Sequence, residues 1–558
     1  MKKLVIFFCI LSIIACNKKP SQEKVTKEEL KQPNILWIVT EDISPTLSFY
    51  GDKTAKTPNL DKLAKESIIY DNAFATVGVC APSRSSIITG MYPTSIGTMH
   101  MRTGKDIVSW GKRIYKKDTE ITDLENGNVI EYAAVIPENV KCYTEYLRIA
   151  GYYTTNNQKT DYQFAAPVTA WDENNAKAHW RNTPKGKPFF SVFNIGTTHE
   201  SRLWKNEKLP LTVDSKTVKV PPYLPDNKIT RKTIARHYSN VELMDTEVGE
   251  ILKQLKKDGL YDNTIIFFYS DHGGPLPRQK REIYDSGLKV PFMMKGLDGK
   301  IGRTDRLISF VDLAPTMLSL AEIAPPTYLE GTAFLGKYNN ITRKYIFGSS
   351  DRFDEFSDRI RAVRNKRYLY IKNDFPKRPK YKDIGYRKKV PMMPNFLELK
   401  KENKLNKVEQ IWFQTKVTEE LYDCENDPHN VINLAENSNY NSILKEMRTA
   451  LQNHLKDRKD YGVQPESEMI KEMWPNFKQP ITGAVIFNSN GQTITLSSAT
   501  KGASIAYIIS DKTIKKLDFN SKWEVYHKPI ILKKGQIIYT IAQRIGYKES
   551  EINSKEIE

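Results

Sequence analysis

The run Asn34-Ile35-Leu36-Trp37-Ile38-Val39-Thr40, followed at once by Glu41-Asp42, decides the fold. An apolar run without polar alternation predicts a strand buried on both faces, the pattern of a parallel sheet. Two acids then stand at its carboxyl end. Phe189-Phe-Ser-Val-Phe-Asn-Ile195 and Thr264-Ile-Ile-Phe-Phe-Tyr269 read as two more such strands, and Ile234 to Leu255 between them has helical spacing. Asn59-Leu60-Asp61-Lys62-Leu63-Ala64 opens a further helix with Asn59 as N-cap. This alternation predicts an α/β fold, a mostly parallel sheet covered by helices on both faces. Ligands of such sheets sit at the carboxyl ends of the strands, where Glu41 and Asp42 fall.

At 558 residues the chain is too long for one compact core, and its texture changes twice. The α/β domain is expected over residues 33–340. Arg359-Ile-Arg-Ala-Val-Arg364 and Tyr368-Leu-Tyr-Ile371 read as antiparallel strands of a smaller subdomain over 341–465, with a helix near Asn441–Leu455. From 478 to 555, short alternating runs (Ala484–Phe487, Thr493–Leu496, Ile505–Ile509, Trp523–Tyr526, Gln536–Ala542) are broken by Gly and Asn turns. They predict an appended β-sandwich.

Residues 1–16 have the layout of a secretory signal: Met-Lys-Lys, an apolar stretch from Leu4, then Ala15-Cys16. Ile13-Ile14-Ala15-Cys16 resembles a bacterial lipobox, which implies cleavage before Cys16 and lipidation of that residue. Residues 17–32 would be a polar tether to the membrane. No acidic cluster follows Cys16, so the expected location is the periplasmic side of the membrane rather than the cell surface. Only Cys80, Cys142 and Cys424 then remain, too few for a disulfide scaffold in an exported chain. The formal net charge of +19 suits anionic partners. Export and the lack of any nucleic-acid-binding motif exclude nucleic acid.

Cys80-Ala81-Pro82-Ser83-Arg84, with Thr89-Gly90-Met-Tyr-Pro93 after it, resembles the signature of type I (formylglycine-dependent) sulfatases of the bacterial polysaccharide-sulfatase type. The resemblance implies an alkaline-phosphatase-like fold. It also implies that a formylglycine-generating maturation enzyme oxidises Cys80. One hydroxyl of the hydrated aldehyde attacks sulfur, and the second expels sulfate by collapse to the aldehyde. A serine or thiol would be left with a stable sulfate ester. Glu41 and Asp42 at one strand end, and Asp271 and His272 in Ser270-Asp271-His272-Gly273 at another, match the family's calcium ligands, joined by residue 80 itself. Hard oxygen donors dominate that set, which favours Ca²⁺ over zinc. The family usually has Asp where Glu41 stands.

By local context, Lys159 and Lys280 match the family's sulfate-binding lysines, His199 its leaving-group histidine, and Arg84 the residue that binds the formylglycine hydrate. The resemblance makes these a positively charged frame for the transition state, with proton donation from His199. Many sulfatases carry a histidine three residues after the first lysine; here that position is Tyr162. Its role falls to Tyr162, to His100 or to no residue. His100 and Arg102 are expected to face substrate, and Asp351-Arg352-Phe-Asp354-Glu355 resembles a sugar-selecting rim, which makes Arg352 a further substrate residue. Leu421-Tyr422-Asp423-Cys424 resembles a C-terminal marker of bacterial sulfatases. The last segment resembles the C-terminal β-domain of chitobiase and β-hexosaminidase, through Gly502-Ala503-Ser-Ile-Ala-Tyr507 and Ala542-Gln-Arg-Ile-Gly-Tyr-Lys-Glu-Ser550.

The expected reaction is hydrolysis of a carbohydrate sulfate monoester, in a sulfated oligo- or polysaccharide. An algal polysaccharide, such as ulvan or carrageenan, is favoured over host glycosaminoglycans. N-sulfoglucosamine hydrolysis and phosphonate or phosphodiester hydrolysis are the alternatives within enzymes. A catalytically silent glycan-binding lipoprotein is the alternative outside them.

Overall fold

The computed structural model describes residues 32–109, 112–114, 120–339 and 341–557. The signal, Cys16 and the tether up to residue 31 lie outside the described residues. Among those described, no helix is long and apolar enough to cross a membrane.

The central sheet has eight strands: β1 Asn34–Thr40, β2 Ile68–Phe74, β3 Tyr153–Asn157, β4 Glu173–Asn174, β5 Phe189–Ile195, β6 Thr264–Ser270, β7 Phe292–Lys295 and β8 Gly302–Ser309. Their order is β8-β2-β7-β6-β1-β5-β3-β4. β1 lies parallel between β5 and β6. Only β7 runs against its neighbours, β2 and β6. The apolar run of β1 is explained by its position. Ile35, Trp37 and Val39 enter one core with Phe190, Phe267 and Tyr269. Leu36 and Ile38 enter the core on the opposite face with Ile266, Phe268 and Met244. Burying such side chains stabilises by roughly 1.5–3 kcal/mol each, which drives this strand to the centre.

The helix expected from Ile234 spans Lys228–Lys257, and the side chain of Asn227 caps it by accepting from the amides of Ile229 and Thr230. Val241, Met244, Val248, Leu252 and Leu255 form its buried stripe. The second sheet is antiparallel, in the order Ile346–Ser350, Ile360–Arg364, Tyr368–Asn373, Glu419–Asp423. The marker segment at Leu421 is thus an edge strand, and the helix Asn441–Lys456 packs its apolar face on Val363, Tyr370 and Leu421. At the C-terminus two antiparallel sheets, of three and four strands, share a core that includes Val485, Ile494, Leu496, Ile505, Ile538 and Ala542. Ile530–Ile531 and Asn553–Glu556 add strands that the alternation did not reveal. These sheets dock firmly on the α/β unit: Lys141 Nζ donates to the Gly502 carbonyl at 2.7 Å, and Arg544 Nη2 to that of Ile136 at 2.7 Å.

Candidate active site

Every chemical motif lies at the carboxyl edge of the central sheet. Glu41 and Asp42 follow β1, Asp271 and His272 follow β6, Lys159 follows β3 and His199 follows β5. The chain from β2 passes through Ala75–Val79 into the helix Cys80–Thr89, so Cys80 is its first residue. All ten residues of that helix are buried. Its amide end carries a partial positive charge, a favourable seat for an anion. Close approach of two loops frames it. A Cβ on Gly78 would lie 2.4 Å from the Glu282 carbonyl, and one on Gly273 would lie 2.3 Å from that of Ser286. Only glycine fits at either place.

Nine expected residues form one contiguous cluster. Cys80 Sγ lies 3.3 Å from His272 Nε2 and 3.4 Å from Lys280 Nζ. Lys280 Nζ also donates to Asp42 Oδ2 at 2.6 Å. His272 Nε2 is 3.0 Å from Asp42 Oδ1 and 3.6 Å from Asp271 Oδ1. Arg84 Nε donates to Asp271 Oδ2 at 3.0 Å. Lys159 Nζ donates to Glu41 Oε2 at 2.7 Å, and His199 Nε2 lies 3.8 Å from the same oxygen. Asp42 is held in a left-handed backbone conformation, with φ of 55°. A non-glycine residue in that region is costly and recurs at functional sites.

The charges are set by one another. Burial disfavours the ionised carboxyl of Asp42, yet Lys280 and the neighbouring imidazoles hold it well below the usual range. Burial likewise opposes the charge of Glu41, and Lys159 and Arg84 hold its carboxyl down. Despite its own burial, His272 is pushed up to about 10 by Asp271 and Asp42. His199 shifts the other way: burial, then Lys280 and Lys159, push it well below its ordinary value, so its imidazole is neutral. Nδ1 of His199 lies 2.9 Å from the Ser201 hydroxyl and 3.2 Å from the Ser201 amide, which fixes the ring.

Two groups of donors share Cys80: Glu41, Asp42, Cys80 and His199 in one, Cys80, Asp271 and His272 in the other, each with ligand atoms within 4.8 Å of one another. Three carboxylates and two imidazoles converge on residue 80, and the carboxylate oxygens match a hard divalent cation better than a soft one.

Some residues in this machinery carried no sequence signal. Asn194, the polar residue near the end of the apolar strand β5, accepts from Arg84 Nη1 at 2.7 Å. Its own amide donates to Asn156 Oδ1 at 2.9 Å, and Asn156 donates to the Lys159 carbonyl at 3.2 Å. Glu200 donates its backbone amide to Asp42 Oδ2 at 2.6 Å. An asparagine among phenylalanines was the one available clue.

Two expectations are corrected. Arg352 does not present its guanidinium to substrate. Its side chain is 1% exposed. Nη2 donates to Glu466 at 2.7 Å, and Nη1 to the carbonyls of Met101 and Asp354 at 2.8 and 2.7 Å. His100 is drawn into the same buried network, its Nδ1 accepting from the Arg352 amide at 3.3 Å. Burial pushes its imidazole down to about 4. Glu466 thus accepts from Arg352 and lies 3.8 Å from Nδ1 of His100, which ties both residues into one buried network. Tyr162 is buried in the core beside Phe164, at 5.7 Å between ring centroids. Among the described residues, Cys80 makes its polar contacts with His272, Lys280 and Asp42. Arg102 does stand at the rim, 15% exposed and paired with Asp354.

A buried, cation-framed residue at a helix start, facing acids at a parallel sheet's carboxyl edge, defines a hydrolase of anionic esters. The chain belongs to the sulfatase family, whose model matches residues 33–323. It is 43% identical to the ulvan-active sulfatase of Formosa agariphila, over 97% of this chain and 95% of that protein. Similarity also extends to the N-sulphoglucosamine sulphohydrolase of Homo sapiens, 24% identical over 75% of this chain and 89% of that one. Among solved structures, a 2-O GAG sulfatase superposes with a TM-score of 0.54 at 20% identity, covering 77% of this chain and 93% of that one. The last likeness concerns the fold. The protein is a sulfuric ester hydrolase.

Proposed function

We propose that this sulfatase hydrolyses sulfate monoesters of a carbohydrate, and that its substrates are oligosaccharides of ulvan. The observation that carries the chemistry is Cys80 Sγ within 3.4 Å of Lys280 and 3.3 Å of His272, at the buried start of a helix. The polymer follows from the 43% identity, across nearly the whole chain, to an ulvan-active enzyme. The more distant likeness to a sulphoglucosamine sulphohydrolase, at 24%, supports the sulfamidase alternative less well.

On this reading a formylglycine-generating enzyme converts Cys80, and the modified residue supplies a nucleophile with a built-in release of sulfate. Glu41, Asp42, Asp271 and His272 would hold Ca²⁺, which adds positive charge at the sulfate oxygens when bound. Lys280 and Lys159 border the same space and stabilise charge that grows on those oxygens. Arg84, fixed by Asp271 and Asn194, orients residue 80. A bound sulfate ester adds negative charge beside His199 and raises its affinity for a proton, and the imidazolium then gives that proton to the departing sugar oxygen. The protein is exported and anchored by lipid at Cys16, on the periplasmic side.

The test is co-expression with a formylglycine-generating enzyme in the presence of calcium, with sulfate release measured from ulvan, carrageenan and glycosaminoglycan oligosaccharides. Release from ulvan oligosaccharides that disappears in Cys80→Ala is expected. Release that persists in that variant would sink the mechanism. An aryl phosphonate turned over faster than an aryl sulfate would move the reading to phosphonate esters. Metabolic labelling with palmitate, lost in Cys16→Ser, tests the anchor.

A further inference from the structure

Arg84 engages the active site through two of its guanidinium nitrogens, Nε on Asp271 and Nη1 on Asn194. The third, Nη2, is buried and has no hydrogen-bond partner among the described residues. The indole N–H of Trp37 and the hydroxyl of Tyr143 are likewise buried without a partner. Trp37 is 2% exposed and Tyr143 1%. Buried donors are nearly always paired, so three orphans together call for an acceptor.

All three residues line one cavity of about 30 Å³ within the core, beside Lys159, Tyr162 and Trp171. Its chemistry is one-sided. Arginine, lysine and indole groups donate and never accept. No carboxylate is found among the described residues that line it. The two side-chain carbonyls in its wall are already taken: Asn194 Oδ1 accepts from Arg84, and Asn156 Oδ1 from Asn194 at 2.9 Å. Burial pushes the hydroxyls of Tyr143, Tyr162 and Tyr269 up, so each keeps a proton to donate. Charge points the same way, since Arg84 opposes the positive charge of Lys159.

Size narrows the occupant. One water needs roughly 10–15 Å³ of cavity, so this one holds one or two single-atom guests and excludes sulfate. A water would bring two protons of its own into a wall already rich in donors. A halide ion only accepts.

We propose that this cavity is a site for a buried monatomic anion of the chloride class, held by Arg84 Nη2, Trp37 Nε1 and the Tyr143 hydroxyl. The anion fixes the last open edge of the Arg84 guanidinium and offsets the repulsion between Arg84 and Lys159. It steadies the helix that begins at Cys80 without touching a substrate. The site is independent of which ester is cleaved.

Thermal unfolding of the purified protein tests this, with chloride replacing gluconate at constant ionic strength; gluconate is too large for the cavity. A saturating rise in melting temperature of about 2 °C is expected, and the same with bromide. Tyr143→Phe removes one donor and keeps the shape of the core, so it is expected to raise the half-saturating chloride concentration about tenfold. Tyr162→Phe takes its place if that variant does not fold. Crystals grown in bromide locate the ion by anomalous scattering, with the peak expected between Arg84 and Trp37. A melting temperature indifferent to chloride, equal half-saturation in wild type and variant, or a bromide peak only outside the cavity would each overturn the proposal. Neither formylglycine nor substrate enters these readouts, so failure of the sulfatase mechanism would leave the ion site standing.

Discussion

Nε of Arg84 donates to Oδ2 of Asp271 across 3.0 Å, with both side chains almost wholly buried. The bond joins the helix that begins at Cys80 to the end of β6, two elements from distant parts of the chain. Asn194 takes a second nitrogen of the same guanidinium at 2.7 Å. A planar fork held at two points cannot swing, so it fixes the first turn of the helix relative to the acids.

Arg84→Lys retains a positive charge but cannot reach both acceptors. Its kcat/KM for a sulfate ester is expected to fall by about 10²-fold or more, as for other losses of preorganised charge. Circular dichroism should show the fold retained. A rate within threefold of wild type would remove Arg84 from the machinery.

His199→Ala should be discriminated by the leaving group. General-acid catalysis is worth roughly 10²–10⁴-fold when the departing oxygen is a poor leaving group. The variant is therefore expected to lose that much on a sugar sulfate and far less on a nitrophenyl sulfate, whose phenolate leaves without a proton. Equal losses on both substrates would contradict the acid role.

Removal of divalent metal should silence the enzyme reversibly. Dialysis against a calcium-selective chelator is expected to abolish sulfate release, with Ca²⁺ restoring it and Mg²⁺ failing to do so, because Mg²⁺ demands a smaller, octahedral shell. Asp42→Asn should remain inactive at any calcium concentration tested below millimolar. Full activity after chelation would refute the metal assignment.

The buried network around Glu466 predicts a pH dependence of stability. His100 in the folded chain sits near 4, below its ordinary value of 6.5, because burial disfavours the imidazolium. Between those values the unfolded chain takes up a proton that the folded chain does not. This contribution is therefore whole above pH 6.5 and is lost as pH falls toward 4. Urea unfolding at pH 7 and pH 5 should show wild type losing on the order of 1–2 kcal/mol more than His100→Gln. An equal loss in both proteins would be the contrary result.

How much of the site the sequence revealed depends on distance along the chain. Cys80 and Arg84 share one helical turn, and Asp271 and His272 end one strand, so local spacing exposed their joint purpose. The asparagines behind them were invisible. Asn194 meets Arg84 across 110 positions, and β5 reads equally well as a plain core strand with or without it. Glu200 and Arg281 were hidden for the same reason, being paired across 81 positions.

The misread residues show the converse. His100 and Arg352 stand next to rim residues in sequence, and that neighbourhood suggested substrate. Glu466, 114 positions beyond Arg352, turned both side chains inward. Arg102, between the same neighbours, stayed at the rim because Asp354 and Tyr386 hold it there.

The sequence by itself determined the α/β class and the carboxyl-edge location of the acids, because buried strands and helix starts are written in short-range pattern. The tertiary structure decided which charges meet, which are neutralised and which face the solvent. Those outcomes rest on Coulomb interactions and burial between segments 81 to 238 positions apart, and no local pattern encodes them.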